Sequence, residues 1–251
     1  MGSGRNLRMT RRRFFAPPSA FNFGKRTVML TSDEARHLRE VLRLKPGDEV
    51  QVFDGEGKEF RAAVSQARRE FAELEIRDEI EAMRPESPLE LTMAVALLKG
   101  EKFDLVVQKG TELGVNRFLP LITRYADIKL RDEADAAKRV ARWQRIALEA
   151  AKQSGRAVVP EVTLPVPFES AIQRDECLMF SERDGDPLNT DLKLQSVTAI
   201  IGSEGGWSDE ELHQAHAAGL RIVTLGGRVL RAETAAIAIA ALLQHLYGDL
   251  K

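Results

Sequence analysis

The chain has 251 residues and a formal net charge of −1, with 43% hydrophobic and 30% charged residues. This balance is typical of a folded globular protein and excludes a largely disordered one, and the length favours two domains. No apolar run reaches the roughly eighteen residues of a membrane span, and no apolar segment of a secretory signal follows the N-terminus. We therefore expect a cytoplasmic protein with no membrane partner.

Charge is distributed unevenly along the chain. Residues 1–45 contain 11 Lys and Arg against 3 Asp and Glu, whereas the remaining residues carry an acidic excess. Such asymmetry predicts a polyanionic partner for the basic end. The alternatives are a solvated basic surface and a partly artificial leader, since Met1–Gly4 reads Met-Gly-Ser-Gly.

Cysteine and histidine give little support to a metal or thiol site. Cys177 is the only cysteine, which excludes an internal disulfide and a cysteine-cluster zinc site, and its apolar neighbours favour a buried, inert thiol. His213 and His216 are three residues apart but have no further ligands at diagnostic spacing. We expect solvated histidines and no metal.

The N-terminal part predicts a small β-barrel interrupted by one helix. Turn signals at 46–48 and 54–57 separate short apolar runs, and a cap at Ser32 opens a helical pattern that continues to Arg43. The predicted strands are Thr27–Leu30, Glu49–Phe53, Phe60–Val64 and Phe71–Ile76.

Beyond a proline-containing linker at Arg84–Pro88, strand and helix patterns alternate, which predicts a parallel sheet flanked by helices. The predicted strands are Leu91–Leu98, Phe118–Thr123, Cys177–Phe180, Thr198–Ile201 and Ile222–Leu225, and the predicted helices are Lys102–Leu113, Ala134–Gln153, Ser208–Ala218 and Ala232–Tyr247. The last helix is apolar on every face, so it either packs beneath its own sheet or also lines a subunit interface.

Three regions could bind a ligand. Glycines follow a predicted strand at Ile201–Gly206, and again at Leu225–Ala235, where Arg231 and Glu233 lie at a helix start. The third region, Lys152–Arg156, ends a helix with a glycine and an arginine that could reach phosphate. Neither glycine loop has dinucleotide or P-loop spacing. Taken alone, each is as compatible with an ordinary turn as with a ligand site, and Arg231 and Glu233 could simply stabilise their helix.

Several ordered motifs together resemble the 16S ribosomal RNA uracil-N3 methyltransferase family, over nearly the whole chain. These motifs are Arg13–Phe15, His37–Arg43, Leu98–Lys102, Gln108–Val115, Arg142-Trp143, Gln153–Arg156, Ile201–Gly206 and Leu225–Ala235. The resemblance implies an α/β SPOUT domain at 89–251 with a trefoil-knotted parallel sheet, and a PUA-like β-barrel at 1–84. It also implies a homodimer that transfers methyl from S-adenosylmethionine to N3 of a uridine in the decoding region of 16S rRNA, releasing S-adenosylhomocysteine.

The resemblance also implies site residues. Arg231 and Glu233 are the expected catalytic residues: Arg231 would stabilise a deprotonated uracil, and Glu233 would accept the proton or orient Arg231. Expected cofactor-binding residues are Ile201, Gly202, Glu204, Gly205, Leu225, Gly226, Val229, Leu230, Thr234 and Ala235. Expected RNA-binding residues are Arg11, Arg12, Arg13, His37, Arg39, Arg43 and Arg156.

The chain departs from the family pattern at three positions: Ser203 replaces a usual proline, Trp207 a smaller apolar residue or phenylalanine, and Ala232 a usual threonine. Losing the proline should loosen the first loop. We interpret these changes as tuning. Two other hypotheses are a non-catalytic RNA-binding assembly factor with a decayed pocket, which failure to bind S-adenosylmethionine would favour, and a nucleotide-dependent enzyme on an unknotted sheet, against which the missing phosphate-loop spacing counts.

Overall fold

The computed structural model describes residues 12–173, 176–190 and 193–251. Two compact units form. The first contains the chain up to Glu86 together with Ala151–Val159, and the second contains Ser87–Ala150 and Pro160–Lys251. The predicted linker thus coincides with a change of unit, and a segment distant in sequence joins the N-terminal one. None of the described helices is long and apolar enough to cross a membrane.

The first unit is built on a six-stranded sheet. Its strands are β1 (Arg13–Phe15), β2 (Phe21–Asn22), β3 (Thr27–Thr31), β4 (Glu49–Phe53), β5 (Glu59–Ala67) and β6 (Phe71–Ile80), in the order β1-β4-β5-β6-β3-β2. Strand β1 is parallel to β4 and the other pairs are antiparallel. In the described part of the chain, the pairing path ends at β1 and β2, so the curled sheet is not closed by a ladder between them.

Three helical segments interrupt this sheet: a 3-10 turn at Pro18–Ala20, α1 (Ser32–Arg36) and a π-helical turn at His37–Val41 that continues α1. The sequence predicted one regular helix from Ser32 to Arg43. The helix instead widens into the π-helical turn after Arg36 and ends at Val41. Arg43 has a left-handed φ of 52° and is not helical. Alternating side chains of the strands fill one core together with Leu38, because strand residues at every second position share a face.

The second unit alternates strands and helices. It contains β7 (Glu90–Ala96), α2 (Lys102–Glu112), β8 (Arg117–Ile122), α3 (Glu133–Ser154), β9 (Glu161–Val162), β10 (Val166–Pro167), α4 (Phe168–Ala171), β11 (Cys177–Phe180), β12 (Asp186–Pro187), β13 (Ser196–Ile201), α5 (Asp209–Ala217), β14 (Arg221–Thr224) and α6 (Ala232–Tyr247). The end of α3 from Ala151 onward belongs to the first unit.

All strand pairs of this second sheet are parallel, which confirms the α/β prediction. The order is β10-β8-β7-β13-β11-β14-β12, with β9 also on β8. Strands β7, β11 and β13 are almost continuously buried, as expected where helices cover both faces of a parallel sheet. Since all strands run in one direction, the loops that follow β11, β13 and β14 emerge at the same edge.

Helix α6 packs against α2 and against the central strands β7 and β13. One face, which includes Ala236, Ile239, Ala240 and Leu243, is buried. Ile237 and Leu242, which flank this face on its two sides, are partly exposed, so the helix is not covered all round within this chain. The expectation that it packs beneath its own sheet is confirmed, while its role in a subunit interface stays a prediction.

Candidate functional site

A pocket of about 390 Å³ lies at the carboxyl edge of β11, β13 and β14. This is the edge at which open α/β sheets bind ligands. It is lined by Phe180–Glu182 after β11, by Ile201–Glu204, Gly206 and Trp207 after β13, by Val223–Ala232 from β14 into α6, and by Ala235 and Ile239 of α6. The two glycine loops singled out in the sequence therefore form one site.

The loop after β13 is held by its glycines and by the start of α5. Gly206 has a φ of +69°, and a Cβ there would lie 2.7 Å from Glu182 Oε1, so only glycine fits without displacement. Ser208 caps α5 by accepting the backbone N–H of Glu211 at 3.2 Å, while Glu211 accepts the N–H of Ser208 at 2.9 Å. This confirms the predicted capping box.

Trp207 packs against this loop and is only 1% exposed. Its indole N–H donates to the Phe180 carbonyl at 2.8 Å, and its ring packs against Phe168 at 5.2 Å between centroids. A Cβ on Gly202 would lie 3.1 Å from the indole. The tryptophan at this position thus joins β11 to the loop after β13.

The loop after β14 is open and apolar. Gly226 and Gly227 both have left-handed φ angles, and nothing lies within 4 Å of a Cβ built on either. Val229 is 82% exposed, and Leu225 and Leu230 are also exposed. This combination leaves an accessible apolar wall on one side of the pocket.

Arg231 lies between this loop and α6. It is the N-cap residue of α6, but its side chain makes no capping hydrogen bond. It is exposed, lines the pocket, and forms no ion pair with any residue that the structure describes. A cation at a helix N-terminus is disfavoured by the helix dipole, so this arginine contributes nothing evident to the stability of α6. The alternative that it stabilises its own helix is therefore not supported.

Glu233 is mostly buried but is not among the residues that line the pocket. Its Oε2 atom is buried without a hydrogen-bond partner and lies 3.9 Å from Lys102 Nζ. The expected catalytic pair is thus split: Arg231 lines the pocket, whereas Glu233 does not. This placement favours an orienting or electrostatic role for Glu233 over direct contact with a ligand in the pocket.

Lys102 ends the Leu98–Lys102 motif but was not among the predicted site residues, and it donates to Glu204 Oε1 at 2.8 Å. This hydrogen bond is the main cause of the raised pKa of Lys102, which burial opposes. For Glu204, burial favours a higher pKa, but the hydrogen bond from Lys102 and backbone hydrogen bonds at Glu204 and Lys99 outweigh it, so the pKa is lowered. Both groups are therefore charged at neutral pH.

Most of the predicted cofactor-binding residues line the pocket: Ile201, Gly202, Glu204, Leu225, Gly226, Val229, Leu230 and Ala235. Gly205 and Thr234 do not. A Cβ on Gly205 would lie 2.7 Å from Tyr125 Cβ, so this glycine instead allows close packing beside the loop. Phe180–Glu182 were not predicted, because β11 is followed by no glycine motif. Trp207 was not predicted as a site residue either, although it adjoins the Ile201–Gly206 motif.

Two of the predicted RNA-binding arginines are buried in the first unit. Arg13 donates to Glu59 at 2.8 Å and to the Arg156 carbonyl at 2.9 Å, and its guanidinium lies 3.9 Å from the Phe53 ring centroid. Arg156 is paired with Glu86. Because both guanidinium groups are held by carboxylates away from solvent, this structure does not support phosphate binding by either, and we correct that expectation.

The other predicted RNA-binding residues are more accessible. Arg12 and Arg43 are at least partly exposed, with Arg12 3.5 Å from Asp48. Arg39 donates to the Arg68 carbonyl at 2.7 Å and pairs with Glu40. His37 packs edge-on against Phe14. Arg11 lies outside the described residues. Arg12, Arg39 and Arg43 therefore remain candidates for backbone phosphate contacts.

Comparison with known families matches both parts of the chain. Residues 85–244 match the RNA methyltransferase domain family, and residues 30–77 match the RNA methyltransferase PUA domain family. The first match covers the whole edge that carries the pocket. Within the described residues, no group of three or more His, Cys, Asp or Glu is arranged to hold a metal ion.

Two curated relatives carry the name ribosomal RNA small subunit methyltransferase E. The protein from Synechocystis is 37% identical over 83% of this chain and 70% of its own length, and that from Mesomycoplasma hyopneumoniae is 32% identical over 90% and 95%. Among solved structures, a Legionella pneumophila methyltransferase in complex with bound S-adenosylmethionine has a TM-score of 0.85 at 32% identity, covering 95% of this chain and 99% of that one. A Neisseria gonorrhoeae methyltransferase E bound to S-adenosylmethionine has a TM-score of 0.84 at 36% identity, covering 96% and 99%.

Proposed function

The chain belongs to the RNA methyltransferase family that includes ribosomal RNA small subunit methyltransferase E, and we propose that it methylates N3 of a uridine in the decoding region of 16S rRNA. It is an S-adenosylmethionine-dependent methyltransferase with a SPOUT-like α/β domain and a PUA-like domain. The methylated atom and the position in the RNA rest on the family resemblance.

The pocket suits this cofactor. Its volume of about 390 Å³ is in the usual range for small-molecule sites. Ile201, Leu225, Leu230 and Ile239 supply apolar walls for an adenine ring, and the lining residue Ser203 has a buried hydroxyl without a hydrogen-bond partner among the described residues. The charged Glu204 carboxylate can accept hydrogen bonds from hydroxyl or ammonium groups.

Bound S-adenosylmethionine supplies an electrophilic methyl group, so the protein's main contribution is to position the acceptor uracil and manage its N3 proton. Arg231 carries this proposal, because it is exposed, lines the pocket and has no ion-pair partner among the described residues. It would stabilise the negative charge that develops on the ring oxygens as the proton leaves. Glu233, which does not line the pocket, would orient Arg231 or accept the proton itself.

The first unit would hold the surrounding RNA. The target base must leave its stack to enter a pocket, and phosphate contacts then fix the position of the strand. Arg12, Arg39 and Arg43 are the accessible arginines among those predicted. RNA binding is measured at several salt concentrations, and the logarithm of the binding constant is plotted against the logarithm of the salt concentration. Replacing Arg39 and Arg43 with alanine should reduce the slope of this plot by roughly 0.7–0.9 per lost phosphate contact. An unchanged salt slope would contradict this footprint.

We further propose a cytoplasmic homodimer in which the knotted sheet and the active site form as in the resembling family. Partly exposed Ile237 and Leu242 on α6, and exposed Val229 and Leu230 beside the pocket, are apolar surface that a second copy could bury. Sedimentation equilibrium tests the dimer. A monomer at concentrations that support full activity would refute it.

The direct test is transfer of labelled methyl from S-adenosylmethionine to small ribosomal subunits that lack their own modification, followed by nucleoside analysis. The expected product is 3-methyluridine. Labelling of another nucleoside would refute the N3-uridine assignment. Binding of RNA without binding of S-adenosylmethionine would instead support a non-catalytic assembly factor.

Arg231→Ala separates catalysis from binding. Removing one charge-stabilising donor typically lowers turnover by roughly 10²–10³-fold. The matched control is Arg221→Ala at the start of β14, where the arginine is about half exposed and pairs with Glu176 away from the pocket edge. Calorimetry should show nearly unchanged cofactor affinity for both variants. Loss of affinity without loss of turnover at saturating cofactor would exclude the proposed role of Arg231.

A further inference from the structure

Lys102 occupies a position that neither the glycine loops nor the proposed catalytic pair explains. It lies in the first turn of α2, and its Nζ atom is 2.8 Å from Glu204 of the loop after β13 and 3.9 Å from Glu233 in the first turn of α6. One ammonium group thus meets two carboxylates from two different elements. Only the first contact is short enough for a hydrogen bond.

The second carboxylate depends on this cation. Glu233 is mostly buried, and its Oε2 atom has no hydrogen-bond partner. A buried carboxylate without compensation is costly, and Lys102 is the nearest cation that the described residues place beside it. Arg231 is also close enough to disfavour the charged form of Lys102. The groups facing Lys102 are therefore Glu204, Glu233 and Arg231, from the loop after β13 and from α6.

We propose that Lys102 is a positioning residue of the methyl-transfer site, which holds Glu204 at the cofactor pocket and balances the charge of the buried Glu233 carboxylate. Glu204 lines the pocket, whereas Lys102 itself does not. Lys102 thus acts on ligands through the two carboxylates. The inference about Glu233 rests on the proposed function; the inference about Glu204 concerns cofactor binding and needs no RNA substrate.

The first part of the test is cofactor binding, measured by calorimetry with S-adenosylmethionine at about pH 6 and pH 8. Without the ammonium, Glu204 loses its charged hydrogen-bond donor, so the pKa of its carboxyl would rise and the carboxyl would protonate more readily. Lys102→Met should weaken binding roughly tenfold, and more at the lower pH, because a hydrogen bond to a charged partner is lost. Lys102→Arg should restore most of the affinity, whereas a bystander role predicts equal affinity in all three proteins at both pH values.

Lys109→Met is the matched control. Lys109 is on the same helix and pairs with Glu112 at 2.8 Å, the same distance as Lys102 to Glu204, but it contacts no pocket residue among its described partners. It should bind cofactor like the wild type. In a double-mutant cycle, Lys102→Met should add little to Glu204→Gln if Lys102 acts through that carboxylate. Full additivity of the two changes would overturn the coupling.

The second part uses methyl transfer to small ribosomal subunits at saturating cofactor. Lys102→Met should lower turnover roughly tenfold, because the buried Glu233 carboxylate loses its nearest cation, and Lys102→Arg should restore most of the turnover. Wild-type turnover in Lys102→Met would remove Glu233 from the proposal. If the wild type transfers no methyl, the proposed function fails, while the calorimetric comparison still decides the role of Lys102 at Glu204.

Discussion

Trp207→Phe tests whether packing beneath the pocket, and not the glycine motif alone, gives the site its shape. Trp207 is 1% exposed, donates a hydrogen bond to Phe180 and packs against Phe168. Phenylalanine keeps a ring beside Phe168 but loses the indole N–H, which costs about 1 kcal/mol, and leaves a small void, which costs about another 1–2 kcal/mol. The expected loss in free energy of unfolding is about 2–3 kcal/mol, a large share of a typical total.

The assay is urea denaturation followed by fluorescence of the remaining tryptophan. The chain has two tryptophans, and the other, Trp143, is buried in the second unit with its indole N–H bonded to Asp104. In the variant, fluorescence therefore reports on that unit. Saturating S-adenosylmethionine should raise the midpoint of the same transition, since a ligand stabilises the fold that binds it. A variant within about 0.5 kcal/mol of the wild type would refute the packing argument.

Two further predictions concern ion pairs. Arg13→Met leaves the buried Glu59 carboxylate without its cation, so the free energy of unfolding of the first unit in urea should fall by about 3–5 kcal/mol. Arg12→Met removes an exposed pair and should change this free energy by less than about 1 kcal/mol. Equal effects of the two changes would contradict the burial argument. The Lys102–Glu204 pair should stabilise the fold over a wide pH range. The pKa of Glu204 is lowered from 4.5, so its stabilisation is complete above about pH 4.5 and is lost as pH falls through the lowered pKa. The pKa of Lys102 is raised from 10.5, so its stabilisation is complete below about pH 10.5 and is lost as pH rises through the raised pKa. Urea midpoints of the wild type and Glu204→Gln should therefore converge only in stronger acid or base, and convergence near neutral pH would refute this.

The long apolar patterns in the sequence carried most of the correct fold predictions. Strands β4 and β11 and helix α6 have the predicted bounds. The apolar pattern that predicts each of them begins and ends within the residues of the element itself. The two-residue strands β9, β10 and β12 were not predicted, since so short a segment is extended only through its neighbour in the sheet. The same holds for the insertion of β13 between β7 and β11, a non-local pairing with no local signature.

Ion pairs between distant residues explain the errors among the RNA-binding predictions. Arg13 and Arg156 are basic residues in a basic or glycine-capped context, and nothing nearby in sequence marks them as buried. Their partners Glu59 and Glu86 are 46 and 70 residues away. A cation count along the chain therefore overestimates the accessible positive charge, and only the tertiary contacts show which arginines are already neutralised.

The same reasoning explains why Lys102 was missed while Arg231 was found. Arg231 follows a glycine loop at a helix start, so its context alone marks it as unusual. Lys102 ends the Leu98–Lys102 motif and begins an ordinary amphipathic helix, and neither feature alone assigns it a role in the site. Its significance arises because β7 lies beside β13, which places the start of α2 near the loop after β13 and the start of α6. Charge coupling between these elements is thus a property of the sheet order, and the sequence motifs locate the pocket without showing which cation governs its carboxylates.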